Sequence, residues 1–286
     1  LLLAPRGLPG RWLGLPLCLP LLWPPAVAPK PGGFWFALLD VGQGLAAVVR
    51  TQNHVLVYDT GPRLGATLDA GRAVLVPFLR QQGVVRVDAL LVSHADKQHT
   101  GGVRSLRELM PVARILAASL EETPIDGAES CRAGQAWEWD GVQFRILHPP
   151  ERGFGGDNAS CVLRVEGAAG RVLLPGDIET RAENALVESY GTDLAADVLV
   201  APHHGHRNLS MPAFLDAVRP RYILFATGHR NRFGYPRPET VARYQATGAT
   251  LLDTADQGAM TFRLEPGRPL VPERHRRDNR HYWTAP

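Results

Sequence analysis

The sequence predicts an α/β chain built as two sheets packed face to face, with helices on the outside. Three observations carry this. Strand-like apolar runs fall into an early and a late group, each interspersed with helical patterns, which is how two layers bury one core. No internal repeat recurs at a short fixed period. The composition is that of an ordinary globular protein, with 286 residues, 45% hydrophobic and 21% charged. That length suits one large domain or two small ones.

The elements follow in order. Phe34 to Leu39 begins the folded domain as a strand, after a Pro/Gly linker over 29–33. Asp40 to Gly44 is a tight turn, Leu45 to Arg50 a second strand, and His54 to Tyr58 a third that ends in Asp59-Thr60-Gly61. Ala66 to Arg80 has the spacing of a helix, with Leu68, Ala73, Val74 and Leu79 on its apolar face, and Gly83 ends it. Val87 to Val92 is a buried strand, Val103 to Met110 a short helix and Val112 to Ala117 a strand.

Trp137 to His148 alternates as a hairpin around Asp140-Gly141. Ser160–Val165 and Arg171–Leu174 form another, running into Pro175-Gly176-Asp177. Glu179 to Tyr190 is a helix, Val198 to Ala201 a strand, and Pro202 to His206 a loop. Helices over Met211–Val218 and Pro238–Ala246 and strands over Tyr222–Phe225, Thr250–Asp253 and Ala259–Leu264 complete the domain. The segment after 265 is expected to be a basic, detached tail, with Arg274, Arg276, Arg277 and Arg280.

Charge is unevenly placed. Residues 1–200 carry 18 Lys+Arg against 21 Asp+Glu, whereas 201–286 carry 13 against 7, so the last third is net basic and points to an anionic partner. Cys18, Cys131 and Cys161 lack CxxC spacing and are too few for a disulfide framework, so Cys18 and Cys161 are expected to be small buried hydrophobes. The Leu/Pro-rich segment over 1–28 allows two assignments. One is a signal peptide closing on Ala26-Val27-Ala28; the other is the end of a larger membrane-embedded region.

Three loops that follow buried strands carry metal-ligand types: His94, Asp96 and His99; Asp177; and His203 and His204. Imidazole nitrogen and carboxylate oxygen on rigid frames suit a borderline divalent cation. Loops at strand ends share one sheet edge, so the three can meet. Two cations about 3.5–4 Å apart can clamp a phosphoryl group.

The order His94-x-Asp96-x-x-His99-x-Gly-Gly, then Gly176-Asp177, then Pro202-His203-His204-Gly205 resembles the metallo-β-lactamase fold. Further stretches make the resemblance more specific: Leu39-Asp40-Val41-Gly42-Gln43-Gly44, Tyr58-Asp59-Thr60-Gly61, Asp157-Asn158-Ala159-Ser160 and Asn231-Arg232-Phe233-Gly234-Tyr235-Pro236. Together they resemble the C-terminal hydrolase domain of ComEC, the DNA-internalisation channel of bacterial competence, from about Phe34 to Leu264.

The resemblance implies an αββα sandwich of two mixed sheets, a hydrolase domain over 34–265, and a 1–28 segment that ends a membrane region. It implies a metal-dependent DNase that degrades the strand not imported, on the outer face of the bacterial inner membrane. One or two Mn²⁺ or Zn²⁺ ions would serve it, with single-stranded DNA, the channel region and other competence proteins as partners. His94, Asp96, His99 and Asp177 carry over as ligands, and His203 or His204 as a ligand or as proton donor to the leaving oxygen. With His203 on the metal, His204 joins Asp96 and Asp177 as the catalytic set. Asp157 or Asn158 would complete the first metal site, and Asp59 would orient ligands from behind.

Gln98 stands where the family usually has Asp, and Tyr235 where it often has His, which weakens the second cation. Arg207, Arg230, Arg232 and Arg237 flank these loops as candidate phosphate contacts. The alternatives are a catalytically weak DNA-guiding domain and a small-molecule metallohydrolase.

Overall fold

The computed structural model describes residues 28–279, apart from 119, 122, 123 and 208, together with residue 16. The assignments made for residues 1–27, Cys18 among them, and for Arg280 lie outside the described residues. Among those residues no helix is long and apolar enough to cross a membrane.

The first half of the chain supplies β1 (Phe34–Leu38), β2 (Ala47–Arg50), β3 (Val55–Tyr58), β4 (Ala89–Val92), β5 (Ile115–Ala117) and β6 (Ala128–Ser130). Between them lie α1 (Val76–Gln81), α2 (Lys97–Thr100) and α3 (Val103–Leu109). The second half supplies β7 (Ala136–Trp139), β8 (Val142–His148), β9 (Val162–Gly167), β10 (Gly170–Leu174), α4 (Thr180–Tyr190), β11 (Val198–Val200), α5 (Pro212–Val218), β12 (Tyr222–Phe225), α6 (Pro238–Gln245) and β13 (Thr250–Asp253). α7 (Thr254–Gln257), β14 (Met260–Leu264), β15 (Glu273–Arg274) and α8 (His275–Asp278) close the chain.

Among the described residues these strands make an eight-stranded sheet, in the order β15-β14-β1-β2-β3-β4-β5-β6, and a seven-stranded one, β13-β12-β11-β10-β9-β8-β7. Both are mixed. Antiparallel hairpins lead into the parallel runs β3-β4-β5-β6 and β10-β11-β12-β13. Each parallel step needs a crossover, and the helices of those crossovers cover the outer faces.

Period-two alternation sorts each strand between layers. In β1, Phe34, Phe36 and Leu38 enter the core between the sheets, where they meet Phe144, Leu163 and Val172. Ala37 faces the outer cluster beneath α1 and α3. Leu186, Phe214 and Tyr244 fill the corresponding layer outside the second sheet. Full burial of a Phe or Leu side chain is worth about 1.5–3 kcal/mol. Tyr58 also ties the sheets together, because its hydroxyl donates to the Cys161 carbonyl at 2.6 Å and lies 3.2 Å from that of Leu174.

Four sequence expectations are corrected. The helix expected from Ala66 begins at Gly71, because the Asp69 carboxylate accepts from the Arg72 amide and caps the chain there. Leu68, expected on its apolar face, precedes the helix and is exposed. The tail does not detach at 266: β15 adds to β14, and Arg276 binds Asp40 and the Thr254 carbonyl. Cys161 is not a free thiol but is joined to Cys131 in a disulfide. Stacking of the two sheets brings together cysteines 30 residues apart, at Cα–Cα 6.2 Å, which spacing along the chain does not reveal.

Candidate metal centre

The side chains predicted for the site gather at the carboxyl ends of the parallel strands, where crossover loops emerge in an open α/β sheet. β3 delivers Asp59, β4 delivers Ser93 and His94, β10 leads to Asp177, and β11 leads to His203 and His204. The loop after β4 is more ordered than a plain turn. The Asp96 carboxylate accepts from the Gln98 amide at 2.6 Å and caps α2, which carries His99.

Asp59 holds the buried end of the site together. One oxygen accepts from the Ser93 amide at 2.7 Å. The other accepts from the Ser93 hydroxyl at 2.7 Å and lies 2.8 Å from His99 Nδ1. With Nδ1 engaged by a carboxylate, Nε2 of His99 is left to face Asp177 at 3.3 Å. His204 Nε2 stands 3.6 Å and His203 Nε2 3.9 Å from the same Asp177 oxygen.

His203 and His204 both have left-handed backbones, φ 47° and 56°. Such residues cost on the order of 1–3 kcal/mol each and persist where surrounding structure fixes them. Here the His203 amide donates to the Gly176 carbonyl, and Gly205 (φ 82°) packs where a Cβ would strike Pro236 and Phe225.

Electrostatics follow from this geometry. Burial alone disfavours a charged His99, but Asp177 and Asp59 overcome it and raise its basicity well above the ordinary imidazole value. Burial likewise works against an ionised Asp177, and His99 and then His204 outweigh it, holding that carboxyl well below the usual range. Burial lowers His204 to about 4 and, with the nearby His99, lowers His94. A neutral His204 whose Nε2 faces Asp177 suits metal ligation better than proton donation.

The residues fit a divalent cation. Nε2 of His94, His99 and His204 and Nδ1 of His203 are buried and make no hydrogen bond. His94, His99 and Asp177 offer ligand atoms within 4.8 Å of one another, compatible with donors about 2.0–2.2 Å from one ion. Asp157, Glu179 and His203 form a second such group. Neither group includes Asp96. The Gln98 side-chain oxygen is buried without a hydrogen-bond partner. Asn158 turns away from the imidazoles to bond Glu179 at 2.9 Å.

Sequence reasoning missed Ser93 and Glu179. The signal for Glu179 was a carboxylate two residues after Asp177, but an acidic residue at a helix start is ordinarily a partner of the helix dipole.

The rim is aromatic and basic. Tyr235 stands 6.2 Å from the His203 ring and stacks on Phe233 at 5.6 Å. Arg232 lies over Phe233 and Arg237 over Tyr235. Burial raises the Tyr235 phenol, so it stays protonated at neutral pH. Arg207 is exposed, 3.9 Å from Glu239, and Arg230 is also exposed. Beside the loop after β4 lies an open cleft of about 700 Å³, lined by Arg63, Lys97, Arg104 and Arg107 against Glu108 and Asp126.

The model of the metallo-β-lactamase superfamily matches residues 39–229. Competence protein ComA of Neisseria gonorrhoeae is 39% identical over 285 residues, covering 99% of this chain and 40% of that protein. Recombination protein 2 of Haemophilus influenzae is 31% identical, covering 77% of this chain and 27% of that protein. ComE operon protein 3 of Bacillus subtilis is 26% identical, covering 80% and 33%. The chain thus spans two fifths or less of the length of these curated relatives.

Among solved structures, the diiron β-hydroxylase CmlA of Streptomyces venezuelae matches with TM-score 0.53 and 15% identity, over 80% of this chain and 54% of that one. The metallo-β-lactamase fold protein YhfI of Bacillus subtilis matches with TM-score 0.52 and 11% identity, over 80% and 99%. These two structural likenesses bear on the fold alone.

Proposed function

The chain belongs to the metallo-β-lactamase superfamily, and from that membership and its site we infer that it is a metal-dependent phosphodiesterase acting on DNA. We assign it to the hydrolase domain of a ComEC-type uptake protein, degrading the strand that is not imported. The observation that carries this reading is the convergence of His99, His203 and His204 on one Asp177 oxygen, under a rim of arginines and stacked aromatics. Curated relatives named for competence and recombination support the DNA assignment.

His94, His99, His204 and Asp177 would hold Mn²⁺ or Zn²⁺, which supplies Lewis acidity at a phosphoryl oxygen when bound. The chain's own residues do the rest. Asp59 and Ser93 fix the His99 ring. Arg232 and Arg237 hold the phosphates on either side of the scissile one, as bidentate donors of fixed charge. Phe233 and Tyr235 offer faces on which unpaired bases stack, which favours a single strand over a duplex. The Tyr235 hydroxyl, kept protonated by burial, donates to a phosphate oxygen. The basic cleft beside α2 gives the strand a second run of positive charge.

A buried disulfide suits an oxidising compartment, which supports a position on the extracytoplasmic face of the inner membrane. The test is incubation of the protein with end-labelled single-stranded DNA and Mn²⁺, Mg²⁺ or Zn²⁺. Cleavage is expected in the wild type and absent in Asp177→Ala, and equal products from both would sink the assignment. Gln98 offers only a neutral oxygen, and Asp96 is engaged in capping α2. Both favour a second reading, a DNA-guiding domain, whose mark is salt-dependent binding that survives a chelator with no cleavage.

A further inference from the structure

We propose that Asp157, Glu179 and His203 form a second cation site on the solvent side of Asp177, with Glu179 as a ligand. The proposal rests on the Asp177 group being a metal centre. It places the second ion on residues other than the Gln98 position.

Three separate loops supply the donors: the 3₁₀ turn Gly156–Ala159, the residue before α4, and the turn Pro202–Gly205. One ligand atom from each lies within 4.8 Å of the others, and all three residues are half-buried. The His203 ring spans the two groups. Its Nδ1, buried and without a hydrogen bond, is 3.9 Å from Asp157 Oδ2, while its Nε2 faces Asp177. His94 Nε2 adds an independent pointer. His94 is only 4% exposed, its Nε2 has no hydrogen-bond partner, and that atom aims at Asp157 Oδ1 from 3.6 Å.

Glu179 sits at the N-cap position of α4, yet its side chain caps nothing. Asn158 sets it instead, donating to Glu179 Oε2 at 2.9 Å and accepting from the Glu179 amide at 3.1 Å. Among the described residues neither Asp157 nor Glu179 pairs with an arginine or lysine. Two carboxylates held this close without a fixed cation repel each other unless a mobile one joins them.

The donor set differs in character from the first group. Two carboxylates and one imidazole, open to solvent, suit a hard ion such as Mn²⁺ that keeps some of its water. The first group, richer in imidazole and almost closed, holds its ion more tightly. The second site is therefore the weaker and more exchangeable one, and it takes Mn²⁺ in preference to Zn²⁺.

Calorimetric titration with Mn²⁺, read together with metal content after dialysis, tests this on the intact chain. Wild type is expected to take up two equivalents of different affinity. Glu179→Gln and Asp157→Asn should each lose the weaker equivalent and keep the tighter one, with unchanged circular dichroism. A single equivalent in wild type, or two that survive both substitutions, overturns the second site while leaving the Asp177 centre standing. A wild-type chain that binds no ion overturns the metal centre itself and this site with it.

Discussion

His99 is fixed between two carboxylates, and this sets how the site responds to a change at Asp59. Asp59 reaches no group a substrate would touch, yet it sets which nitrogen of His99 faces Asp177. Asp59 itself has a left-handed backbone, φ 58°, which asparagine tolerates well. Asp59→Asn should therefore fold normally and weaken metal binding about 10- to 100-fold, the usual cost of losing an outer carboxylate. Titration with Zn²⁺ checks it, and wild-type affinity would show that the ring needs no orientation. The same carboxylates keep a proton on His99 up to a higher pH than an ordinary imidazole. A cation must displace that proton, so metal uptake releases acid and weakens as pH falls.

The junction of α4 and α5 holds the loop that follows His203 and His204. Glu183 is fully buried, and its two oxygens accept from the amides of Ser210 at 2.7 Å and Met211 at 3.2 Å, at the start of α5. Ser210 in turn meets the Tyr244 hydroxyl of α6 at 2.5 Å. Burial raises the Glu183 carboxyl to about 7 against an ordinary 4.5. The folded chain therefore keeps a proton that the unfolded chain has already lost. Stability is greatest below the unfolded value and falls as pH rises from 4.5 to about 7, by on the order of 3 kcal/mol at 1.36 kcal/mol per unit. Asp253, raised by burial to about 6, acts in the same direction over a narrower range. Urea unfolding of Glu183→Gln at pH 5 and pH 8 should show a flatter fall than wild type, and parallel curves would count against the assignment.

Local signals in the sequence decided which elements were legible. The hairpin at Asp140-Gly141 was readable because both residues take positive φ, 53° and 80°, as that dipeptide does in tight turns. The histidine loops were readable because ligand types sit at fixed spacing after apolar strands. β6 and β15 were not, being three and two residues long, too short for a periodic signal. Glu179 could not be seen as part of the site because its neighbours there, Asp157 and His203, come from distant segments.

For the whole molecule, the disulfide and the charge distribution matter most. Cys131 follows β6 of one sheet, and Cys161 precedes β9 of the other. The bridge closes a loop of about 30 residues across the sandwich. A bridge of that kind contributes about 2–4 kcal/mol. Reduction, or Cys131→Ser with Cys161→Ser, should lower the melting temperature by several degrees, and an unchanged melt would mean the thiols are not joined in solution.

The direction of β1 has a consequence for reach. The chain enters β1 at Phe34, beside the hairpin turns at Asp140 and Ala168, which bond Gly32. Asp59, His94, Asp177 and His203 all stand at the opposite end of the strands. A tether attached ahead of Pro29 would therefore hold the domain by its blind end. The five residues of β1 span about 17 Å, so the mouth of the centre opens away from the anchoring surface by at least that distance. A strand of DNA would be met on the far side of the domain, not threaded between it and the surface that carries it.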